Sequence, residues 1–427
     1  MILRLEHPCS NAPLRSSAFS SLPRIALVVP SLTDGGGVPA VAKFLLRTIL
    51  DSGRFEVKLI SLACSSSDAD SVRLLRPDSW LWGVRAHGGE WQNLPYTQVG
   101  IFGAELEFQR YRPRPLLRRL LSDCDLVQVV SGSPACACAV ADCGRPIVLQ
   151  VATRAIIERR RREQNEHGLK GLLRKAMTRI TNRMDVTGLR SVNVVMVENS
   201  WMQDYCSRVT AGYGVEVHYA PPGVDVSVFR PKKAGAKSPH PRPYLLSVGR
   251  FSDPRKNIGL LLRAYMLLVA KQKVAPDLLL AGASSPEASF WRQVVMMGLE
   301  DRVHFWARPS QDELVTLYQH ADCFVLSSDE EGFGVVVIEA LACGTPVVAT
   351  RCGGPEGIIT DGQEGWLVPL NDPEAFADCL LRVLSLPVSS PMRRTARKTA
   401  VSRYSEEVTG ATFLSVYEHL LARRIEC

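Results

Sequence analysis

Residues 329–350 read DEEGFGVVVIEALACGTPVVAT, and the fold turns on how VVVIEALA (335–342) is taken. Its β-branched residues favour a strand. PVVAT (346–350) is a better strand, however, and only CGTP separates the two. Two strands across that break would form a hairpin. A helix over 335–342 instead preserves an alternation of strand and helix. Ala340 and Ala342 would let it pack closely on a sheet, while its β-branched residues give up some helix propensity to fill the core. CFVLSS (323–328) is then the preceding strand, and SDEEGFG is a polar, Gly-rich loop at its carboxyl end.

The same alternation extends in both directions. Upstream lie RIALVVPSL from Arg24, FEVKLISLA from Phe55, DLVQVV from Asp125, PIVLQVA from Pro146 and VNVVMVEN from Val192. After FRPKKAGAKSPHPRPY (229–244), which has no apolar period and reads as a linker, come YLLSVGR, DLLLAG, VHFWA, CFVLSS, PVVAT and GWLVPL. Short continuous apolar strands separated by helix-length segments predict parallel sheets covered on both faces. The fold class is therefore α/β, with two doubly wound domains and a cleft between them. Ligands of such sheets bind outside the carboxyl ends of the strands.

Bulk composition agrees. The chain has 427 residues, 46% hydrophobic and 22% charged, which suits two globular domains and excludes a disordered chain. A net charge of +8 is compatible with an anionic substrate, a membrane surface or nucleic acid. The 12 cysteines, Cys136, Cys138 and Cys143 included, show no strong zinc spacing and read as buried thiols in a reducing compartment. No apolar run is long enough to span a bilayer, and 1–23 reads as a loose tail and not a leader. A cytoplasmic location is expected.

Three groups carry the chemistry. In VGRFSDPRKN (248–257), Arg250 and Lys256 lie between a strand end and a helix start. Two cations there suit a phosphate or diphosphate, unless they are only solvated charges. Glu331 sits in the loop before the helix over 335–342. Glu339 sits one turn inside it, in line with Val335 and Val336, and helical side chains tilt back toward the N-terminus. Both carboxylates can therefore face one ligand. The N–H groups of Gly332, Phe333 and Gly334 lie at that helix start as donors. Carboxylates for hydroxyls and donors for anions suit a nucleotide sugar. A glycosidase-like acid pair is the competing reading, but it leaves Arg250 and Lys256 without a purpose.

These residues, with CGTPVVATRCGGPEGI and DGQEGWLVP downstream, resemble in order and spacing the donor half of family 4 retaining glycosyltransferases of the GT-B fold. PPGVD (221–225) and the glycines Gly35, Gly36 and Gly37 resemble its interdomain and first-loop motifs. The likeness is dense over 244–369 and thin in the first half. It implies that Arg250 and Lys256 bind the donor diphosphate and, with Glu331, are the catalytic residues. It further implies that Glu339 holds the ribose, that Glu331 with Gly332, Phe333 and Gly334 faces the sugar, and that Gly36 and Gly37 approach the phosphates from the other domain. It implies retention of anomeric configuration without a metal, so Asp68–Asp70 and Asp123–Asp125 are assigned none. Two positions depart from the family: Gln150 near the place of a histidine, and Ala307 for a glycine.

The expected organisation is a tail over 1–23, a Rossmann-like acceptor domain over 24–229, a linker over 230–243, a donor domain over 244–404 and a helix over 405–427 that crosses back to the first domain. The expected reaction transfers a sugar from a nucleotide-diphosphate sugar to a glycan or lipid-linked hydroxyl, as in polysaccharide biosynthesis. An epimerase or hydrolase on the same fold, or a non-catalytic partner subunit, are the alternatives. A basic segment over 154–190, with Leu169, Leu172, Leu173, Met177 and Ile180 interleaved, reads either as a solvated helix with its stripe packed on the sheet, which is preferred, or as a peripheral contact with an anionic membrane. It carries no aromatic interleaving of the kind nucleic-acid binding needs, and no nucleic-acid partner is expected.

Overall fold

A computed structural model describes residues 22–32, 36–65, 68–160, 163, 167–272, 274–387 and 390–425. The first sheet is built from β1 (Arg24–Pro30), β2 (Glu56–Leu62), β3 (Ala86–Trp91), β4 (Leu94–Val99), β5 (Leu126–Ser131), β6 (Ile147–Val151), β7 (Val194–Val197) and β8 (Glu216–Tyr219), in the order β3-β4-β2-β1-β5-β6-β7-β8. The second contains β9 (Tyr244–Val248), β10 (Asp277–Gly282), β11 (Val303–Ala307), β12 (Cys323–Leu326), β13 (Val347–Thr350) and β14 (Gly365–Val368), in the order β11-β10-β9-β12-β13-β14. This is the two-domain GT-B architecture. All pairings are parallel except β3 with β4.

That pair is a hairpin the sequence reading did not anticipate. HGGEW and LPYTQ are only weakly apolar, and the turn between them uses Gln92 and Asn93, both at positive φ. Two central residues at positive φ match the twist of the flanking strands, but Asn-Gly would have signalled it more plainly.

The stretch 335–342 is a helix, Val335–Ala342. Val337, Ile338, Ala340, Leu341 and Ala342 are buried, whereas Val335, Val336 and Glu339 are half-buried. Its neighbours β12 and β13 pair in parallel, as a helical connection requires.

In each sheet the chain winds outward from one strand and then returns to its other side. The reversal falls between β1 and β5 in the first sheet and between β9 and β12 in the second. A crevice opens at the carboxyl ends of such strand pairs. The loop containing Gly36 follows β1, Arg250 follows β9, and Glu331 follows β12.

The Pro- and Lys-rich segment 230–243 is not where the chain passes between sheets. Val224 and Phe229 are already buried in the second core, with Tyr318, Phe324 and Tyr404. Farther on, His240 and Arg242 both bind Asp277 at the start of β10, at 2.7 and 2.9 Å. Proline-rich composition reports missing regular structure, not missing contact. The crossing is made at PPGVD (221–225). There Val224 N–H donates to the Tyr404 carbonyl (2.8 Å), and Glu406 N–H donates to the Val224 carbonyl (3.2 Å).

The final helix, Glu406–Ile425, thus starts beside that crossing. Phe413 and Tyr417 are fully buried in the first core, with ring contacts to Phe44 (5.6 Å) and Phe55 (6.1 Å). The Tyr417 hydroxyl donates to buried Gln128 (2.8 Å), which satisfies both groups. Phe413→Ala is expected to destabilise the protein by about 3–5 kcal/mol, read as a lower urea midpoint; an unchanged midpoint would show that the helix does not dock there.

Candidate functional site

The loops at the two reversal points meet. Gly36 caps the helix Gly37–Ser52 with φ 135°, a conformation side chains rarely adopt. A Cβ on it would lie 3.2 Å from Cζ of Arg250. The first-domain loop therefore touches the guanidinium of the second. Gly35 lies outside the described residues, and Gly37 is exposed at the helix start.

Lys256 sits in a short 3-10 turn, Pro254–Lys256, capped by the Asp253 carboxylate. Its Nζ donates to Glu331 Oε1 at 2.6 Å, and the Ser328 hydroxyl donates to the same oxygen at 2.6 Å. Both charged side chains are mostly shielded, at 18% and 15% exposure, whereas Arg250 is 49% exposed. An ion pair so shielded is held more firmly than a surface pair.

The loop carrying Glu331 is fixed from three sides. Glu331 N–H donates to the Cys352 carbonyl (2.9 Å), and Gly354 N–H donates to the Glu331 carbonyl (3.0 Å). Phe333 turns its side chain into the core against Tyr404, with ring centroids 5.7 Å apart, so only its backbone is left for a ligand. Gly332 presses on the first domain, where a Cβ would come within 2.7 Å of Ala152 Cβ. Gly334 caps the helix Val335–Ala342, whose first N–H groups have no partner within the helix.

Glu339 is held apart from the Lys256–Glu331 pair. Its carboxylate accepts from the Tyr318 hydroxyl at 2.8 Å. Burial pushes the carboxyl up to about 7, while Tyr318 and the Lys43 cation pull the other way. Lys43 belongs to the helix Gly37–Ser52 and reaches across to Gln311 (3.3 Å).

Several residues of the site escaped sequence reasoning. The Asn199 amide donates to the Ala152 carbonyl (3.0 Å) and to the Gly332 carbonyl (2.5 Å), bridging the domains. The Thr153 hydroxyl donates to Glu330 (2.8 Å), a second bridge. Arg255 pairs with Asp253 (2.7 Å) and approaches Glu158 of the first domain (3.7 Å). Asn257 donates to Asp329 (2.6 Å), joining the two second-domain loops. Asn199 had one visible signal, because it stands as the N-cap of the helix Ser200–Thr210. Its second task depends on the other domain.

Other expectations need correction. Gln150, near the place of a histidine in the family it resembles, is buried, and its amide donates to Glu198 (3.1 Å) and to the Ala220 carbonyl (3.2 Å). Ala152, two residues on, is the residue at the end of β6 that faces the Gly332 loop. In the basic segment, Arg159 pairs with Glu107, and Arg154 bonds Asn182 (3.0 Å) and covers the Tyr205 ring. Leu172 and Leu173 are exposed and not packed on the sheet. Arg161, Arg162 and the Leu169 side chain lie outside the described residues. Both D-x-D strings are engaged. Asp68 accepts from Ser71 (2.8 Å) and Gln98 (2.5 Å), and Asp70 pairs with His87. Asp123 binds Arg24 (2.9 Å) and Lys58 (2.8 Å). Cys136 and Cys138 are buried, and burial lifts their thiols well above the usual range, Cys138 to about 11.

Comparison with known proteins agrees with this fold. Residues 229–403 match the family model described as glycosyl transferases group 1. The chain is 36% identical over 215 residues to a D-inositol 3-phosphate glycosyltransferase of Saccharomonospora viridis, covering 47% of this chain and 49% of that one. It is 30% identical over 216 residues to an MMP alpha-(1->4)-mannosyltransferase of Mycolicibacterium hassiacum, covering 50% of each. It thus spans about half the length of the curated relatives it matches. Among solved structures it superposes on sucrose-phosphate synthase from Thermosynechococcus elongatus with a TM-score of 0.67 at 19% identity, over 94% of this chain and 100% of that one. Anabaena HepE in complex with UDP-glucose gives 0.66 at 16%, over 93% and 99%. The chain has the GT-B fold, and its residues 229–403 match the glycosyl transferases group 1 family.

Proposed function

We propose that this protein is a retaining glycosyltransferase that moves a sugar from a nucleotide-diphosphate sugar to an acceptor hydroxyl. The observation that carries this reading is the junction of the two reversal points, where Gly36 abuts Arg250 and Lys256 is paired with Glu331 at 2.6 Å. HepE, of the same fold, is seen with UDP-glucose.

The costly step is breaking the anomeric bond to the diphosphate. The sugar becomes cation-like and the departing diphosphate gathers negative charge. Arg250 and Lys256 are the groups placed to stabilise that charge, and they need no metal to do so. A diphosphate there takes over Lys256 from Glu331, which frees the carboxylate to face the sugar. Gly36 and Gly37 bring the helix N-terminus of Gly37–Ser52 toward the same phosphates. The backbone of Gly332, Phe333 and Gly334 lines the sugar end. Glu339 receives the ribose hydroxyls. The donor phosphate itself helps remove the acceptor proton, so retention requires no separate base.

The acceptor enters from the first domain. A cavity of about 490 Å³ lies beside β6, lined by Arg154, Ile156, Ile157, Arg160, Glu163 and Lys175. Three cations against one acid favour an anionic acceptor, such as a phosphorylated polyol or a lipid-linked phosphate. The relative named for D-inositol 3-phosphate supports the first of these. A glycosidase use of Glu331 and Glu339 is disfavoured because Lys256 and Tyr318 hold the two carboxylates separately.

Lys256→Ala is expected to lower kcat by about a hundredfold or more in a sugar-transfer assay with donor nucleotides screened by thermal shift, while the melting profile stays cooperative. Wild-type turnover would remove Lys256 from the mechanism. EDTA is expected to leave the rate unchanged, and loss restored by added Mg²⁺ would overturn the metal-independent reading. Because only ionised Glu339 accepts two hydroxyl hydrogen bonds fully, donor affinity should rise with pH through about 7. Titration calorimetry of Glu339→Gln should show weaker binding and lose that rise; an identical pH profile would exclude Glu339 from the ribose site.

A further inference from the structure

One surface of the first domain is used by nothing described so far. Residues 68–85, between β2 and β3, form a loop held by its own hydrogen bonds. Arg85 N–H donates to the Asp70 carbonyl (3.0 Å), Val72 N–H to the Ile101 carbonyl (2.8 Å), and the Trp80 indole to the Arg73 carbonyl (2.7 Å). The Glu105 carboxylate accepts from Leu74 N–H at 3.0 Å. Yet the loop turns its largest apolar side chains outward: Leu75 is 84% exposed, Trp80 55%, Leu81 84% and Trp82 69%. Phe102, bridged to the loop through Val72, is 52% exposed.

Single exposed apolar residues are ordinary, but five gathered on one ordered loop and its neighbour are not. The loop is held by its backbone and by Glu105, so the side chains are presented and not merely left over. Beside them runs a groove of about 420 Å³, floored by Val84, Ile101, Phe102 and Pro113 and edged by Arg112 and Arg119. Arg76, Arg85, Arg112 and Arg119 are exposed. The acids nearby are engaged: Asp78 with Arg76 (3.2 Å), Glu105 with the loop backbone, and Glu107 with Arg159.

Exposed tryptophan and leucine with arginines beside them match the chemistry of a bilayer surface. Indole rings settle at the headgroup level, leucine enters the acyl boundary, and guanidinium groups meet lipid phosphates. A protein partner would also bury apolar side chains, but it would not by itself call for a rim of four exposed arginines. Among the described residues no helix is long and apolar enough to cross a membrane, so the contact is with the surface.

We propose that this loop, through Leu75, Trp80, Leu81, Trp82 and Phe102, docks the protein on an anionic phospholipid surface. The site is distinct from the basic helix Gly168–Arg190. Because the loops after β1, β2, β4 and β6 all leave the same edge of the sheet, docking holds that edge, with its basic cavity, close to the lipid. Binding does not depend on the transferase reading; only delivery of a lipid-borne acceptor to the cleft rests on it.

The test is co-sedimentation of the full chain with vesicles of phosphatidylcholine alone or mixed with phosphatidylglycerol. The parent is expected to bind the mixed vesicles and not the neutral ones, with a blue shift of tryptophan emission. Leu81→Ser with Trp82→Ser should abolish binding while nucleotide binding, measured separately, is unchanged. Arg112→Gln and Arg119→Gln should each weaken binding about fivefold. Parent protein that stays in the supernatant, or a double variant that sediments as well as the parent, overturns the proposal. So does loss of binding only on Lys170→Gln with Lys175→Gln, which would assign the contact to the helix. A dimer in light scattering that Leu81→Ser dissociates would assign the surface to a second copy.

Discussion

The site depends on one close approach between the two domains, the contact of Gly332 with Ala152. It brings the loop after β12 against the end of β6, with no room for a side chain on the glycine. The Asn199 amide closes it by donating to carbonyls on both sides. Backbone carbonyls at loop ends must find donors when water is excluded, and here one side chain supplies two strands of contact. With that approach set, Gly36 falls beside Arg250, Thr153 reaches Glu330, and Lys43 comes within electrostatic range of Glu339.

The charges around the junction divide by what surrounds them. Arg255 is enclosed by Asp253, Glu158 and Glu330, which hold its guanidinium charged and tie the two domains together. Arg250, more exposed and only 3.9 Å from Asp253, keeps a face toward the cleft. Lys256 is paired with a carboxylate that the proposed chemistry also uses. Such a pair keeps two charged groups from being buried alone. Among the described residues no cation touches Glu339, and its raised titration follows from burial, against the pull of the Tyr318 hydroxyl.

The two passages of chain between the sheets lie together. PPGVD (221–225) is hydrogen-bonded on both sides to 404–406, and Arg47 adds ion pairs to Asp225 (3.2 Å) and Glu406. Gly223 is required there, since a Cβ would meet the Glu406 backbone at 2.6 Å. The last helix therefore begins at the crossing and is delivered onto the first core without a long connection.

Much of the second half was legible because its information is local. Apolar runs of strand length, the CGTP break and the small residues of 335–342 were enough to choose the helix, and with it the parallel sheet. The candidates Arg250, Lys256 and Glu331 were picked out from residue type and position after strands, and Glu339 from its place one turn inside the next helix. The β3–β4 hairpin was hidden because its strands are weakly apolar, and composition drew the linker to 230–243 although PPGVD (221–225) already resembled an interdomain motif. That the Gln150 side chain lies in the core, bonded to Glu198, depends on a neighbouring segment and could not be read from its own strand. Outside the β3–β4 hairpin, the sequence by itself determined the main strands and helices and which charges stand near their ends, since those follow from periodicity and composition over a few residues. Only the tertiary structure decided that Glu331 pairs with Lys256, that Asn199 bridges the domains and that Trp82 faces outward, because each depends on distances between segments far apart in the chain.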